Sequence, residues 1–179
     1  MCNNAIWSLG ELTVKVGETI TPYIDSILPL LLSINSQTRL AAGVKDNSTI
    51  TICRIAMVAP EVTAPLIKNF YGMLCMNTAK LRDTGEKSDA TRGLCRALQV
   101  IPEVMPEMFP QFIALVASWY LRVMEVMCRD QISELEIGQM MMEVVNGVKA
   151  AAGTSWQSFY EQKVDIRYRQ ILQTNFNFY

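Results

Sequence analysis

Asn3-Asn4-Ala5-Ile6-Trp7-Ser8-Leu9-Gly10-Glu11-Leu12 sets a rhythm that returns twice along the chain. Thr49-Ile50-Thr51-Ile52-Cys53-Arg54-Ile55 repeats it, and so does Ala90-Thr91-Arg92-Gly93-Leu94-Cys95-Arg96-Ala97. In register, Asn4, Asn47 and Asp89 share one column, and Trp7, Ile50 and Arg92 a second. Gly10, Cys53 and Cys95 form a third, and Glu11, Arg54 and Arg96 a fourth. The offsets, about 43 and 42 residues, fall within the period of two-helix solenoid repeats. In such a stack each column becomes a line of residues along one face. The Trp7 column is therefore where a binding surface is expected.

Working outward, residues 2–17 are expected to form a helix. Ile6, Leu9, Leu12 and Val16 recur at helical spacing as its core stripe, and Gly17 stops it. A helix with this much apolar surface at residue 2 expects a partner before it, so the sequence reads as a fragment or as a gene model cut at its start. Thr21-Pro22 opens a second helix to about residue 34, with Pro29 placed to bend it or free a carbonyl. A third helix is expected over about 40–58 and a fourth from the Ala59-Pro60-Glu61 corner to about residue 76, with Pro65 in its first turns. Arg82 to Lys87 reads as a polar turn, followed by a fifth helix over about 88–100 with Ser88 or Asp89 as its N-cap. Val100-Ile101-Pro102-Glu103-Val104 repeats the earlier corner Val58-Ala59-Pro60-Glu61-Val62 and leads into a sixth helix to about residue 120. Residues 121–130 fit either a helical extension or a loop. Ser133 with Glu136 forms a capping box for a seventh helix to about residue 151. Gly153-Thr154 then caps a short helix carrying Trp156 and Phe159, and residues 164–176 form a last one. Proline and glycine fall at joints, and no alternating strand pattern survives. The expected fold is all-α, an α-α superhelix of about four helix pairs.

Composition narrows the function. Half of the 179 residues are hydrophobic and 18% are charged, enough to build a sizeable core. A net charge of -1 supplies no basic footprint for nucleic acid. The apolar windows 20–34 and 104–121 are interrupted by Asp25, by Glu107 and Gln111, and by prolines, so neither is a clean membrane span. Histidine is absent. That removes mixed Cys/His zinc sites and histidine-dependent nucleophilic catalysis. Cys2, Cys53, Cys75, Cys95 and Cys128 form no CxxC pair and read as buried free thiols of a reducing compartment. No metal site, cofactor or enzymatic activity is expected.

Weaker signals have plain structural readings. Met140-Met141-Met142 suits a plastic groove but more often fills core gaps. Glu134, Glu136 and Glu143 read as a solvated face. Lys80, Arg82 and Lys87 read as solvated side chains around a turn. Trp7 stands apart, because it lies beside the apolar stripe of its helix, near the rim. It is either a large core residue or an exposed indole able to grip an apolar side chain or stack on a cation. Ile50 and Arg92 continue its column, although an isoleucine alone is more often core.

Cys2-Asn3-Asn4-Ala5-Ile6-Trp7-Ser8-Leu9-Gly10-Glu11 resembles a helix near the C-terminus of the transportins, karyopherin-β nuclear import receptors. Collinear matches follow at Pro22-Tyr23-Ile24, Ile50-Thr51-Ile52-Cys53-Arg54, Glu86-Lys87-Ser88-Asp89-Ala90-Thr91-Arg92-Gly93, Val116-Ala117-Ser118-Trp119, Gly147-Val148-Lys149 and Trp156-Gln157-Ser158-Phe159. The resemblance implies that residues 1–179 are the last HEAT repeats of an import receptor shuttling between cytoplasm and nucleus. It implies cargo with a proline-tyrosine type nuclear localisation signal, held on the concave face. It carries the cargo-contacting tryptophan onto Trp7 and an apolar contact onto Ile50. Arg92 is added from the column alone. Ran GTPase, through N-terminal repeats outside this chain, and nucleoporins are the further partners implied. The apolar run Tyr120-Leu121-Arg122-Val123-Met124-Glu125-Val126-Met127-Cys128 departs from the family pattern. The alternative expectation is a HEAT-type scaffold or adaptor whose repeat faces are simply core.

Overall fold

The computed structural model describes residues 2–120 and 131–176. Among these residues every regular element is helical. The chain is an all-α superhelix built from helix pairs. The α-helices are α1 (Cys2–Val16), α2 (Ile24–Ser36), α3 (Ala42–Val58), α4 (Pro60–Ile67) and α5 (Tyr71–Lys80), followed by α6 (Thr84–Val100), α7 (Met105–Tyr120), α8 (Gln131–Ala152), α9 (Trp156–Lys163) and α10 (Ile166–Phe176). The stretch 121–130, where the sequence departs from the family pattern, lies outside the described residues.

The repeated segments become one layer, in which α1 packs on α3, α3 on α6 and α6 on α8. A second layer covers it, with α2 against α4, α5 against α7 and α10 against α7. Each pair is joined by a tight corner. Gly17 and Gly153 take positive φ of 57° and 53°, the left-handed conformation that ends a helix without a side-chain clash. Pro60 and Pro102 occupy first-turn positions, where their missing N–H is no loss. Pro29, Pro65 and Pro110 lie within helices on faces that reach solvent, so the carbonyls they strand can bond water.

Four boundaries differ from the sequence expectation. The second helix begins as a 3-10 segment, Gly17–Tyr23, before α2. The fourth divides into α4 and α5 across a 3-10 turn, Lys68–Phe70. The fifth starts at Thr84, because Asp83 and not Ser88 or Asp89 is its N-cap. The Asp83 carboxylate accepts the Glu86 N–H at 3.0 Å. The seventh starts at Gln131, which places Ser133 inside the helix and not at its cap.

The stripe expected on α1 is also corrected. Ile6, Gly10 and Thr13 are the buried residues, whereas Leu12 is 51% exposed. α1 meets α3 through small and polar groups. A Cβ on Gly10 would stand 2.7 Å from Thr51 Oγ1, and Thr51 donates to the Ile6 carbonyl at 2.9 Å. At the next joint the main chain of Gly93 lies against the Cys53 carbonyl. Interhelical distance is thus set by the residues that have almost no side chain.

α3 is the centre of the core. Every residue from Ser48 to Ala56 is buried, because α1, α2, α4, α5 and α6 surround it. Its polar residues are satisfied internally. Ser48 donates to the Leu31 carbonyl at 2.8 Å and accepts from Asn35 at 2.9 Å. Thr49 donates to Asn35 Oδ1 at 2.9 Å, and Asn77 donates to the same oxygen at 3.1 Å. Such a closed network costs little to bury and fixes the register of α2, α3 and α5. An aromatic cluster of Phe109, Trp156, Phe159 and Tyr160 ties α7 to α9.

Candidate functional site

Trp7 projects from α1 with 46% of its surface exposed. Around it the stacked layer collects carboxylates. Glu11 comes from α1, and Glu86 and Asp89 from α6, with the N-cap Asp83 beside them. Arg54 of α3 lies beneath, with its side chain 8% exposed. Its Nη1 is 2.7 Å from Glu11 Oε1 and its Nε 2.9 Å from Asp89 Oδ2. One guanidinium therefore pins three successive helices of the layer. The fork geometry of arginine lets it hold two acids at once.

Glu86 records the local electrostatics. Its pKa is raised by partial burial and then by the Asp83 charge, and Glu11 adds to the rise. Arg54 and the neighbouring Trp7 indole pull the other way and do not cancel the rise. The indole and the carboxylate thus form one patch, apolar on one side and in want of positive charge on the other. A partner suited to it presents an apolar or aromatic group next to a cation.

The three residues expected to share a surface do not do so. Trp7 is exposed. Ile50 is a correction, because it is 2% exposed and belongs to the core. α3 is enclosed on all sides, so the column position that faces solvent on α1 faces packing on α3. Arg92 is half-buried and held at 2.8 Å by Glu136 of α8. That pairing also corrects the view of Glu136 as merely solvated.

Lys87 is another correction. It was expected in a solvated turn and is 3% exposed. Its ammonium donates to the Ala79 carbonyl at 3.3 Å and the Ser118 carbonyl at 3.4 Å, near the ends of α5 and α7. It also lies 5.2 Å from the Trp119 ring centroid. A cation there satisfies end carbonyls and opposes two helix dipoles. Cys53, Cys75 and Cys95 are buried free thiols as expected, but Cys2 is exposed. Cys128 lies outside the described residues. Met141 is core and Met140 lines a groove between α6 and α8.

Sequence reasoning missed Glu86 and Asp83, because it placed both in a turn before the helix. The Arg54 pairing was more legible. The fourth column sets Glu11 and Arg54, opposite charges, in neighbouring repeats.

A stack of helix pairs with a shared inner core and an indole exposed on the repeated layer is a solenoid of HEAT type. Over most of its length the chain is homologous to the transportins. Transportin-1 of Mus musculus and of Homo sapiens are each 30% identical over 163 residues, 90% of this chain and 17% of theirs. Transportin of Dictyostelium discoideum is 26% identical over 176 residues, 98% of this chain and 18% of its own length. Importin subunit beta-2 of Schizosaccharomyces pombe is 35% identical over 69 residues, 38% of this chain. No family model matches the chain. The chain thus spans less than a fifth of these curated transportins.

Proposed function

We propose that this chain is the cargo-side segment, the last HEAT repeats, of a karyopherin-type nuclear import receptor. It captures a nuclear localisation signal on the face that carries Trp7. The observation that carries the reading is the exposed Trp7 indole beside the raised-pKa carboxylate of Glu86. The names of the relatives, transportin and importin, agree with it. The signal is of the proline-tyrosine type, and its apolar and basic part meets this patch. The indole grips an apolar side chain, and Glu86 with Glu11 receives a lysine or arginine. Ran GTPase, engaged by repeats outside this chain, releases the cargo. Nucleoporins carry the receptor between cytoplasm and nucleus. No bond is made or broken.

The test is binding of a fluorescent proline-tyrosine signal peptide to the chain, with Trp7→Ala beside it and circular dichroism on both. Truncating an interface anchor costs about 2 kcal/mol or more, roughly 30-fold in affinity. A half-exposed indole can be removed with little loss of fold, so the mutant should remain helical. Peptide affinity unchanged by Trp7→Ala rejects the assignment.

A second reading has its own support. Ile50 is buried and Arg92 is tied to Glu136, so two of the three expected contact residues hold the solenoid together. A HEAT scaffold or adaptor without signal recognition accounts for both. It requires that a folded chain show no preference for the signal peptide over a scrambled one.

A further inference from the structure

The joints between layer helices are not alike. α1 meets α3 through Gly10 and α3 meets α6 through Gly93, each a contact too close for a side chain. α6 and α8 are joined by the Arg92–Glu136 pair and, among the described residues, then have no such contact. Among the described residues, a Cβ on Gly138 would come no nearer than 3.8 Å to Tyr120 Oη, and one on Gly147 would meet nothing within 4 Å. Beyond Arg92 the two helices therefore enclose a groove, closed at its end by the Pro102 corner and α9. Its volume is about 560 Å³, within the range of small-molecule sites, roughly 300–1,000 Å³.

The walls define the ligand. Leu98, Met105, Met140, Val144, Val148 and Phe159 supply apolar surface. Met105 and Met140, flexible thioethers, adapt to differing apolar shapes. Gln99 and Ser155 are the neutral polar side chains. Among the described residues that line the groove, Glu143 carries the one acidic or basic side chain. It pairs with no cation among the described residues. It stands near enough to the buried Cys95 thiol for its charge to add, after burial, to the rise of that pKa. No lysine or arginine lines the groove among the described residues, so there an anionic head group would meet Glu143 without compensation.

We propose that the α6–α8 groove is a binding site for an amphiphilic monocation, an apolar body bearing an ammonium group, with the body between Leu98 and Val148 and the ammonium on Glu143. The site is separate from the Trp7 patch and does not depend on its role.

The test is calorimetric titration of the chain at neutral pH with decylammonium, decanol and decanoate, all below micelle formation. The three share one apolar tail and differ in head-group charge. Saturable binding in the order amine, alcohol, carboxylate is expected. Glu143→Gln should bring the amine down to the alcohol, a change of roughly two- to five-fold, as for a partly exposed ion pair. Gly147→Leu should abolish binding of all three, because its side chain enters open space in the groove. It should also leave the fold intact, since leucine favours helix over glycine by about 0.5–1 kcal/mol. Absence of saturable binding to the parent overturns the proposal. So does decanoate binding at least as tightly as decylammonium. Binding that survives Gly147→Leu, or a charge preference that survives Glu143→Gln, also overturns it.

Discussion

Gly93 lies against the main chain of Cys53, so closely that a methyl group in place of its hydrogen would overlap the Cys53 carbonyl oxygen. That contact sets the spacing of α3 and α6. The obstacle is main chain, which has no rotamer to yield. Gly93→Ala is therefore expected to destabilise the chain by about 3 kcal/mol, the upper end of ordinary overpacking. Gly10→Ala meets the Thr51 hydroxyl and should cost less, about 1–2 kcal/mol, through the lost bond to the Ile6 carbonyl. Gly43→Ala, in open helix surface, should gain a few tenths to about 1 kcal/mol. Urea unfolding of the three variants checks the order, and a neutral Gly93→Ala removes the close-contact account.

Arg54 holds Glu11 and Asp89 while nearly buried itself. Arg54→Met leaves two carboxylates facing each other across α3. We expect a loss of about 2–3 kcal/mol, below the figure for a fully buried pair because both acids reach water. Adding Glu11→Gln and Asp89→Asn to Arg54→Met should recover much of it, since the cost lies in uncompensated charge. If the triple variant is no more stable than the single, the arginine contributes through packing and not through charge.

Lys87 caps the ends of two helices from one buried position. Lys87→Met keeps the apolar stem and removes the ammonium donor from the Ala79 and Ser118 carbonyls. The expected loss is about 2–4 kcal/mol. Lys80→Met, at an exposed position, should change stability by less than about 0.5 kcal/mol. Equal effects of the two substitutions would refute the capping role.

The buried thiols make stability depend on alkaline pH. Burial pushes Cys53 and Cys95 up from 9.0 to about 12, and raises Cys75 and Tyr71 as well. In the unfolded chain these thiols ionise near 9, and in the folded chain they stay protonated. Their contribution is fully present below pH 9 and is lost as pH rises from 9 toward 12. Unfolding free energy should fall across that window, and Cys53→Ala with Cys95→Ala should flatten the fall. A thiol reagent at neutral pH should modify Cys2 and leave Cys53, Cys75 and Cys95 untouched until the chain unfolds. Rapid native-state modification of those three contradicts their burial.

The repeat, the helix pairs and the corners at Gly17, Pro60, Pro102 and Gly153 were legible in the sequence, because they rest on local backbone chemistry. A proline has no N–H wherever it stands, and a glycine permits a left-handed turn without help from neighbours. The period of about 43 residues fixed which helices stack in one layer. It even placed Glu11 and Arg54 where they meet. What the column could not carry was exposure. Trp7, Ile50 and Arg92 are equivalent in register, yet one faces solvent, one is core and one is paired with Glu136. The difference is the number of helices around each position, which α1 and α3 do not share. The burial of Lys87 and the acidic setting of Trp7 depended likewise on Asp83 starting α6 a turn early. The groove between α6 and α8 opens where, among the described residues, no glycine meets main chain. These are properties of what lies opposite a residue, and tertiary packing alone decides that.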